Sequence, residues 1–294
     1  MHRLLPYLAA LFVCLPLRAE VSADWTTPVE PFRIADNLYY VGSRDLAAYL
    51  VTTPQGNILI NANLVTSPPQ IRASVEKLGF KWGDTKILLN GQAHFDHLAG
   101  AAEVVRETGA KDMVMEYDAE VALTGGHKDF AFGKDITTDY PPVRVDRVLH
   151  DSDTVELGGV VLTAHRTAGH TRGCTTWTMD VHVPGEPADK LRHVVIVGGL
   201  SALPGYQLVA TPKRAASYPE IASDFEYTFV ALKAMPCDIF LGAHGVYFDM
   251  LPKLQRMKTE GPKVFIDPAG YQAAIAEAQT TFEKMLTKQM AAAY

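Results

Sequence analysis

Basic residues are outnumbered in this chain. There are 27 Lys and Arg against 33 Asp and Glu, for a formal net charge of −6. No long basic tract is present, and a broad nucleic-acid-binding face is excluded on that ground. Past the N-terminus no apolar run is long enough to cross a bilayer. There is no low-complexity segment, no fixed-period repeat and no linker that would split the chain. No Gly-x-Ser-x-Gly nucleophile elbow occurs, so the activated serine of that motif is not on offer. Cysteine is scarce too, with only Cys14, Cys174 and Cys237.

What remains is an ordinary globular composition, 48% hydrophobic and 20% charged over 294 residues, with enough apolar material for a sizeable core. The N-terminus carries Arg3, an apolar stretch from Leu4 to Leu17, and Ala19 as the small residue of Leu17-Arg18-Ala19. This is the pattern of a secretory signal, with a membrane anchor or a buried helix as the alternatives. Cys14 raises a lipoprotein reading, against which Val13 is bulky for the position before a lipidated cysteine. Residues 1–19 are therefore expected to be removed, leaving 20–294 as a single domain in the periplasm. Their loss takes two arginines and no acid, and −6 becomes −8. Cys14 leaves with the signal. Cys174 and Cys237 then either pair in an oxidising compartment or stay as buried free thiols.

The spacing of apolar residues predicts strands at 32–34, 38–41, 48–51, 57–60, 86–89, 113–115, 147–149, 155–157, 160–165, 175–179, 193–197 and 238–241. Helical periodicity covers 71–78, 99–107, 217–235 and 271–289, with Phe225, Phe229 and Leu232 on one face of the third. Residues 124–140 are polar and glycine-containing, and read as a long loop beside a site. Twice a set of strands is followed by helix and strand, which suggests two sheets with helices outside them.

Three of these strands run into histidine-bearing loops. The first delivers Gln92-Ala93-His94-Phe95-Asp96-His97, the second Thr167-Ala168-Gly169-His170-Thr171-Arg172-Gly173, and the third Leu241-Gly242-Ala243-His244-Gly245. Imidazole and carboxylate are ordinary zinc ligands, and small neighbours let the backbone come close to an ion. His94 and Asp96, two apart, can point one way while His97 begins a turn. Ligands gathered at one sheet edge make a site. His165 reads as structural, His127 as a solvated loop residue, and His150, His182 and His193 have no partners in sequence.

The order of these segments resembles the metallo-β-lactamase superfamily, whose pattern is His-x-His-x-Asp-His, then Gly-His-Thr-x-Gly, then a last histidine. The third subclass of class B is the nearest likeness. Pro31-Phe32-Arg33-Ile34-Ala35, Asn37-Leu38-Tyr39-Tyr40-Val41-Gly42, Pro204-Gly205-Tyr206-Gln207-Leu208 and Met235-Pro236-Cys237-Asp238 support it, and the likeness covers nearly the whole mature chain. It implies an α/β fold, the four-layer αβ/βα sandwich, with zinc at one edge of the two sheets.

Carried over by residue, the resemblance implies one zinc on Gln92, His94 and His170 and a second on Asp96, His97 and His244. Asp96 is also expected to orient the nucleophile in catalysis. The substrate is a small-molecule β-lactam, whose amide a metal-activated water would open. Another hydrolase of the fold, acting on a thioester or lactone, is the alternative, and a non-enzymatic zinc-binding protein with a decayed site the third. Gln92 departs from the usual histidine, and is either a weak ligand or an outer group of a one-zinc site. Asn61-Ala62-Asn63 departs as well, where many relatives have aspartate first and glycine third. Asn61 then either accepts a hydrogen bond from a ligand histidine, as that aspartate does, or caps a turn. Upstream of Tyr206 the serines of similar relatives are represented by Ser201, displaced. Ser201 and Tyr206 are the expected substrate contacts.

Overall fold

The apolar runs at residues 49–51, 58–60 and 87–89 are too continuous for strands with one wet face. In the computed structural model, which describes residues 22–293, they lie at the centre of a sheet covered on both sides. Tyr49, Val51, Ile58, Ile60, Ile87 and Leu89 face the second sheet's Leu162, Ala164 and Trp177. The intervening Leu50, Leu59 and Leu88 face the opposite way, onto helices. The two-residue period of a strand thus feeds two cores at once.

The first sheet has seven strands in sequence order. They are β1 (Phe32–Ala35), β2 (Leu38–Tyr40), β3 (Tyr49–Thr53), β4 (Gly56–Ile60), β5 (Thr85–Leu89), β6 (Lys111–Met115) and β7 (Arg147–Leu149). β1 to β4 form an antiparallel meander, and β4 to β7 run parallel. The second sheet holds β8 (Thr154–Leu157), β9 (Val160–Arg166), β10 (Thr175–Val181), β11 (Arg192–Val197) and β12 (Ile239–Gly242), in the order β12-β11-β10-β9-β8. Only its β11–β12 pair is parallel.

Among the described residues the helices are α1 (Ala23–Thr26), α2 (Pro68–Lys77), α3 (Phe95–Leu98), α4 (Ala101–Thr108), α5 (Asp118–Leu123), α6 (Ile221–Ala234), α7 (Met250–Glu260) and α8 (Pro268–Ala293). α2 and α4 cover the first sheet with Ile71, Val75 and Val104. α6 and α8 cover the second, and Phe225, Phe229 and Phe282 pack ring to ring between them. The result is the expected four-layer sandwich. α7 escaped the periodicity reading. Its Pro252 sits in the first turn, where the missing N–H would have had no partner anyway. The expected signal segment, 1–19, lies outside the described residues.

Two cross-sheet bonds bring the site's strands together. Tyr49 Oη donates to Gly242 O at 2.7 Å, tying β3 to the end of β12. Trp177 Nε1 donates to Asn90 O at 3.1 Å, tying β10 to the end of β5. Both bonds are buried, where a net hydrogen bond is worth about 1 kcal/mol and an orphaned partner costs more.

Candidate metal centre

The carboxyl ends of β5 and β12 open on the same edge of the sandwich, and the β9–β10 loop folds over it. After β5 the chain runs through Gln92 to His94, which is extended (φ −64°, ψ 153°) and stands before α3. The helical turn begins at Phe95, two residues earlier than the spacing suggests. Asp96 and His97 are both in α3, and His97 N and Leu98 N close onto His94 O. His170 sits in the β9–β10 loop, and His244 directly follows the end of β12 by two residues. Gly199 is needed for close approach: a Cβ there would stand 2.7 Å from the His170 ring.

Asp96, His97 and His244 converge. Asp96 Oδ2 lies 3.3 Å from His97 Nε2 and 3.5 Å from His244 Nε2, and the two imidazole nitrogens are 3.1 Å apart. One ligand atom from each falls within 4.8 Å of the others. The His94 and His170 rings meet 4.7 Å apart beside them. All five side chains are buried or nearly so, His97 completely. Gln92 is buried as well; its Nε2 donates to Gly198 O at 3.1 Å, while Oε1 finds no donor.

The electrostatics suit a cation. Burial opposes ionisation of Asp96, but His97 and His244 outweigh it and hold the carboxyl well below its ordinary range. Burial pulls His94 down to about 4 and His170 down to about 3, so both offer a neutral imidazole at neutral pH. His244 moves the other way. Burial lowers it, yet Asp45 and Asp96 raise it to about 9. An orphaned amide oxygen on Gln92, neutral imidazoles on His94 and His170 and an ionised Asp96 in one buried cluster fit zinc, with His244 giving up a proton when an ion binds.

Each histidine on the rim has an outer partner. His244 Nδ1 meets Asp45 Oδ2 at 2.9 Å. His170 Nδ1 meets Ser201 O at 2.7 Å. His94 Nε2 lies 3.4 Å from Asp129 Oδ2, without hydrogen-bond geometry. Asp118, buried, accepts from Ala93 N, Thr171 Oγ1 and Gly173 N, and so joins the His94 loop to the His170 loop. Burial raises its carboxyl to about 7 against these donors. Asp45, Asp118 and Asp129 were not visible in the sequence as site residues.

Two expectations need correction. Asn61 does not touch a ligand histidine. Its Oδ1 accepts from Gly91 N at 2.9 Å and its Nδ2 donates to Ala47 O, so it steadies the loop that leads to Gln92. Asn61 and Asn63 both have positive φ (65° and 57°), which asparagine tolerates better than most residues. Tyr206 is 3% exposed, and its hydroxyl donates to His170 O rather than facing the opening. Ser201 is exposed, and its backbone carbonyl is what holds His170.

His165 bonds Thr178 on the second sheet, and His127, His150 and His193 face Asp139, Glu116 and Asp180. Ser74 and Lys77 have the Ser-x-x-Lys spacing, but they lie on α2, where Ser74 is buried and Lys77 pairs with Glu30. Cys174 and Cys237 are both free thiols.

Residues 44–182 match the family described as the metallo-beta-lactamase superfamily. Among solved structures, the native FEZ-1 metallo-beta-lactamase of Legionella gormanii is 48% identical. That match covers 90% of this chain and 98% of that one, with a TM-score of 0.85. The class B3 di-zinc metallo-beta-lactamase LRA-12, from an Alaskan soil metagenome, is 41% identical over 90% of this chain and 97% of its own, with a TM-score of 0.80. A probable metallo-hydrolase of Burkholderia pseudomallei (strain 1710b) is 29% identical over 141 residues. That segment is 48% of this chain and only 45% of the relative's length.

Proposed function

The chain belongs to the metallo-β-lactamase superfamily, and we propose from this that it is a zinc-dependent β-lactamase working in the periplasm. The observation that carries the reading is the convergence of Asp96, His97 and His244 within 4.8 Å at the edge of a fold shared along almost the full chain. Zinc, when bound, supplies a Lewis acid for a carbonyl oxygen and a water acidic enough to attack at neutral pH.

On this reading His94, His170 and Gln92 hold one ion, and Asp96, His97 and His244 the second. Asp96, kept ionised, accepts a hydrogen bond from water at the site and so orients the nucleophile. The His244 Nδ1–Asp45 contact places the ring's proton on the outer nitrogen and leaves Nε2 to face the metal. His170 is set in the same way by Ser201 O. The exposed Ser201 side chain donates to the substrate carboxylate. Tyr206 acts at one remove, holding the His170 loop through its hydroxyl. The long loop ahead of β7 places Asp129 behind His94 and forms one wall over the site. Residues 1–19 serve as the export signal. No helix among the described residues is long and apolar enough to cross a membrane.

The test is metal analysis of the purified chain beside a panel of penicillins, cephalosporins and carbapenems. We expect two zinc ions per chain and cleavage of at least one class, abolished by a chelator and restored by zinc. No turnover of any β-lactam with zinc restored, and turnover of a thioester or lactone instead, would replace this reading with another hydrolase of the fold.

A further inference from the structure

The N-terminal segment reaches the metal centre through Trp25. α1 is docked on the loop before β3 by several backbone contacts: Asp45 N donates to Asp24 O at 3.1 Å and Arg44 N to Thr27 O at 2.9 Å. Ser43 Oγ also donates to Asp24 O, and Arg44 Nε pairs with Asp24 Oδ1 at 2.7 Å. From this docked helix Trp25 Nε1 donates to Asp45 Oδ2 at 3.0 Å. That is the same oxygen that His244 Nδ1 meets at 2.9 Å. The other oxygen, Oδ1, accepts from Val246 N at 3.1 Å. The Trp25 ring stands 5.8 Å from the His244 ring and 6.4 Å from Phe95. It therefore touches both the loop that carries His244 and the helix that carries Asp96 and His97.

An indole N–H can only donate, so Trp25 cannot take the imidazole proton. What it can do is hold Asp45 Oδ2 in one place, and that constraint passes to His244. The fixed oxygen keeps the ring proton on Nδ1 and holds the ring's orientation. We propose that Trp25 is a positioning residue for the metal on Asp96, His97 and His244, acting through Asp45 on His244. The proposal rests on the zinc reading above. Because α1 is docked by its backbone and by Arg44–Asp24, losing the indole donor alone leaves the helix in place.

The test uses the full mature chain and its W25F variant, which keeps a ring and loses the donor, with D45A as a second variant. Zinc is titrated against a competing chelator to give a dissociation constant for each ion. The d–d absorption of the cobalt(II) form reports the geometry of the same site, and melting of the metal-free protein checks the fold. We expect W25F to weaken one ion about tenfold and to leave the other within about twofold, with the cobalt spectrum altered and the metal-free melt unchanged. D45A should weaken the same ion by about 10–100-fold. W25F binding both ions as the parent does, or losing both equally, overturns the proposal while leaving the zinc reading intact. A parent chain that takes up no zinc overturns the zinc reading, and the proposal with it.

Discussion

Asp112 offers a stability prediction whose size can be worked from its surroundings. It lies on β6, fully buried, on the face that packs against the helices. Its Oδ1 accepts from Asn90 Nδ2 at 2.8 Å, while Oδ2 has no donor, and neither has Asn90 Oδ1. Burial raises its carboxyl from 3.8 to about 7; Asn90 offsets part of this and Asp146 adds to it. A rise of about three units corresponds to about 4 kcal/mol between the two protonation states, an upper bound because interiors relax around a charge. The sign follows from proton binding. Between about pH 4 and pH 7 the folded chain keeps a proton that the unfolded chain has lost. The stabilisation is thus fully present below about pH 4 and is lost as pH rises through about 7. Asp112→Asn removes the titration and puts an NH2 group where an oxygen now lacks a donor. The variant should match the parent near pH 4 and exceed it at pH 8 by about 2 kcal/mol, half the bound. Urea unfolding of both proteins, zinc-loaded, at several pH values gives the difference directly, since titrations common to both cancel. A difference that does not change with pH, or a parent that is the more stable at pH 8, would refute the assignment of a strained buried carboxylate.

The remaining predictions concern the metal. Asp96→Ala should cut turnover by more than about 100-fold, the upper end for an outer partner of a ligand, with little change in the metal-free melt; retained turnover would remove Asp96 from the reaction. Gln92→Ala should weaken the ion shared with His94 and His170 by about tenfold or more, and Gln92→His should tighten it. If competition titrations show no change in either variant, Gln92 is not a ligand.

The strands and the long helices were legible because burial on two faces writes long apolar runs, and burial on one face of a helix writes a 3.6-residue period. α5 and α7 were not, for local reasons. α5 follows Tyr117, which takes a positive φ of 69° without glycine. α7 begins beside Asp249 with φ 52° and carries Pro252 in its first turn. The histidine-bearing loops were legible because each is a short run at a strand end with its own small residues. Their outer partners were not. Asp45 and His244 are 199 residues apart, and Asp118 and Thr171 are 53 apart. Nothing local distinguishes Asp45 from any other loop aspartate, and only the closing of the two sheets makes it a partner.

Gln92 shows how such distant partners change the meaning of a ligand position. Taken by itself, an amide oxygen is a poorer zinc donor than imidazole and sits on a flexible side chain. In the folded chain the other end of that amide is already spent on Gly198 O, a residue 106 positions away at the end of the second sheet. The side chain is buried, so its rotamer freedom is lost on folding and not on binding. Asn61 further steadies the peptide just before it. A weak donor held in place in this way loses less on ligation than a strong donor that must first be ordered. Gly198 and Asn61 therefore set how the Gln92 amide is presented to the site. The amide's intrinsic affinity is only half of the matter, because the orientation that makes Oε1 available is paid for by the same cross-sheet closure that brings His170 and His244 to the site.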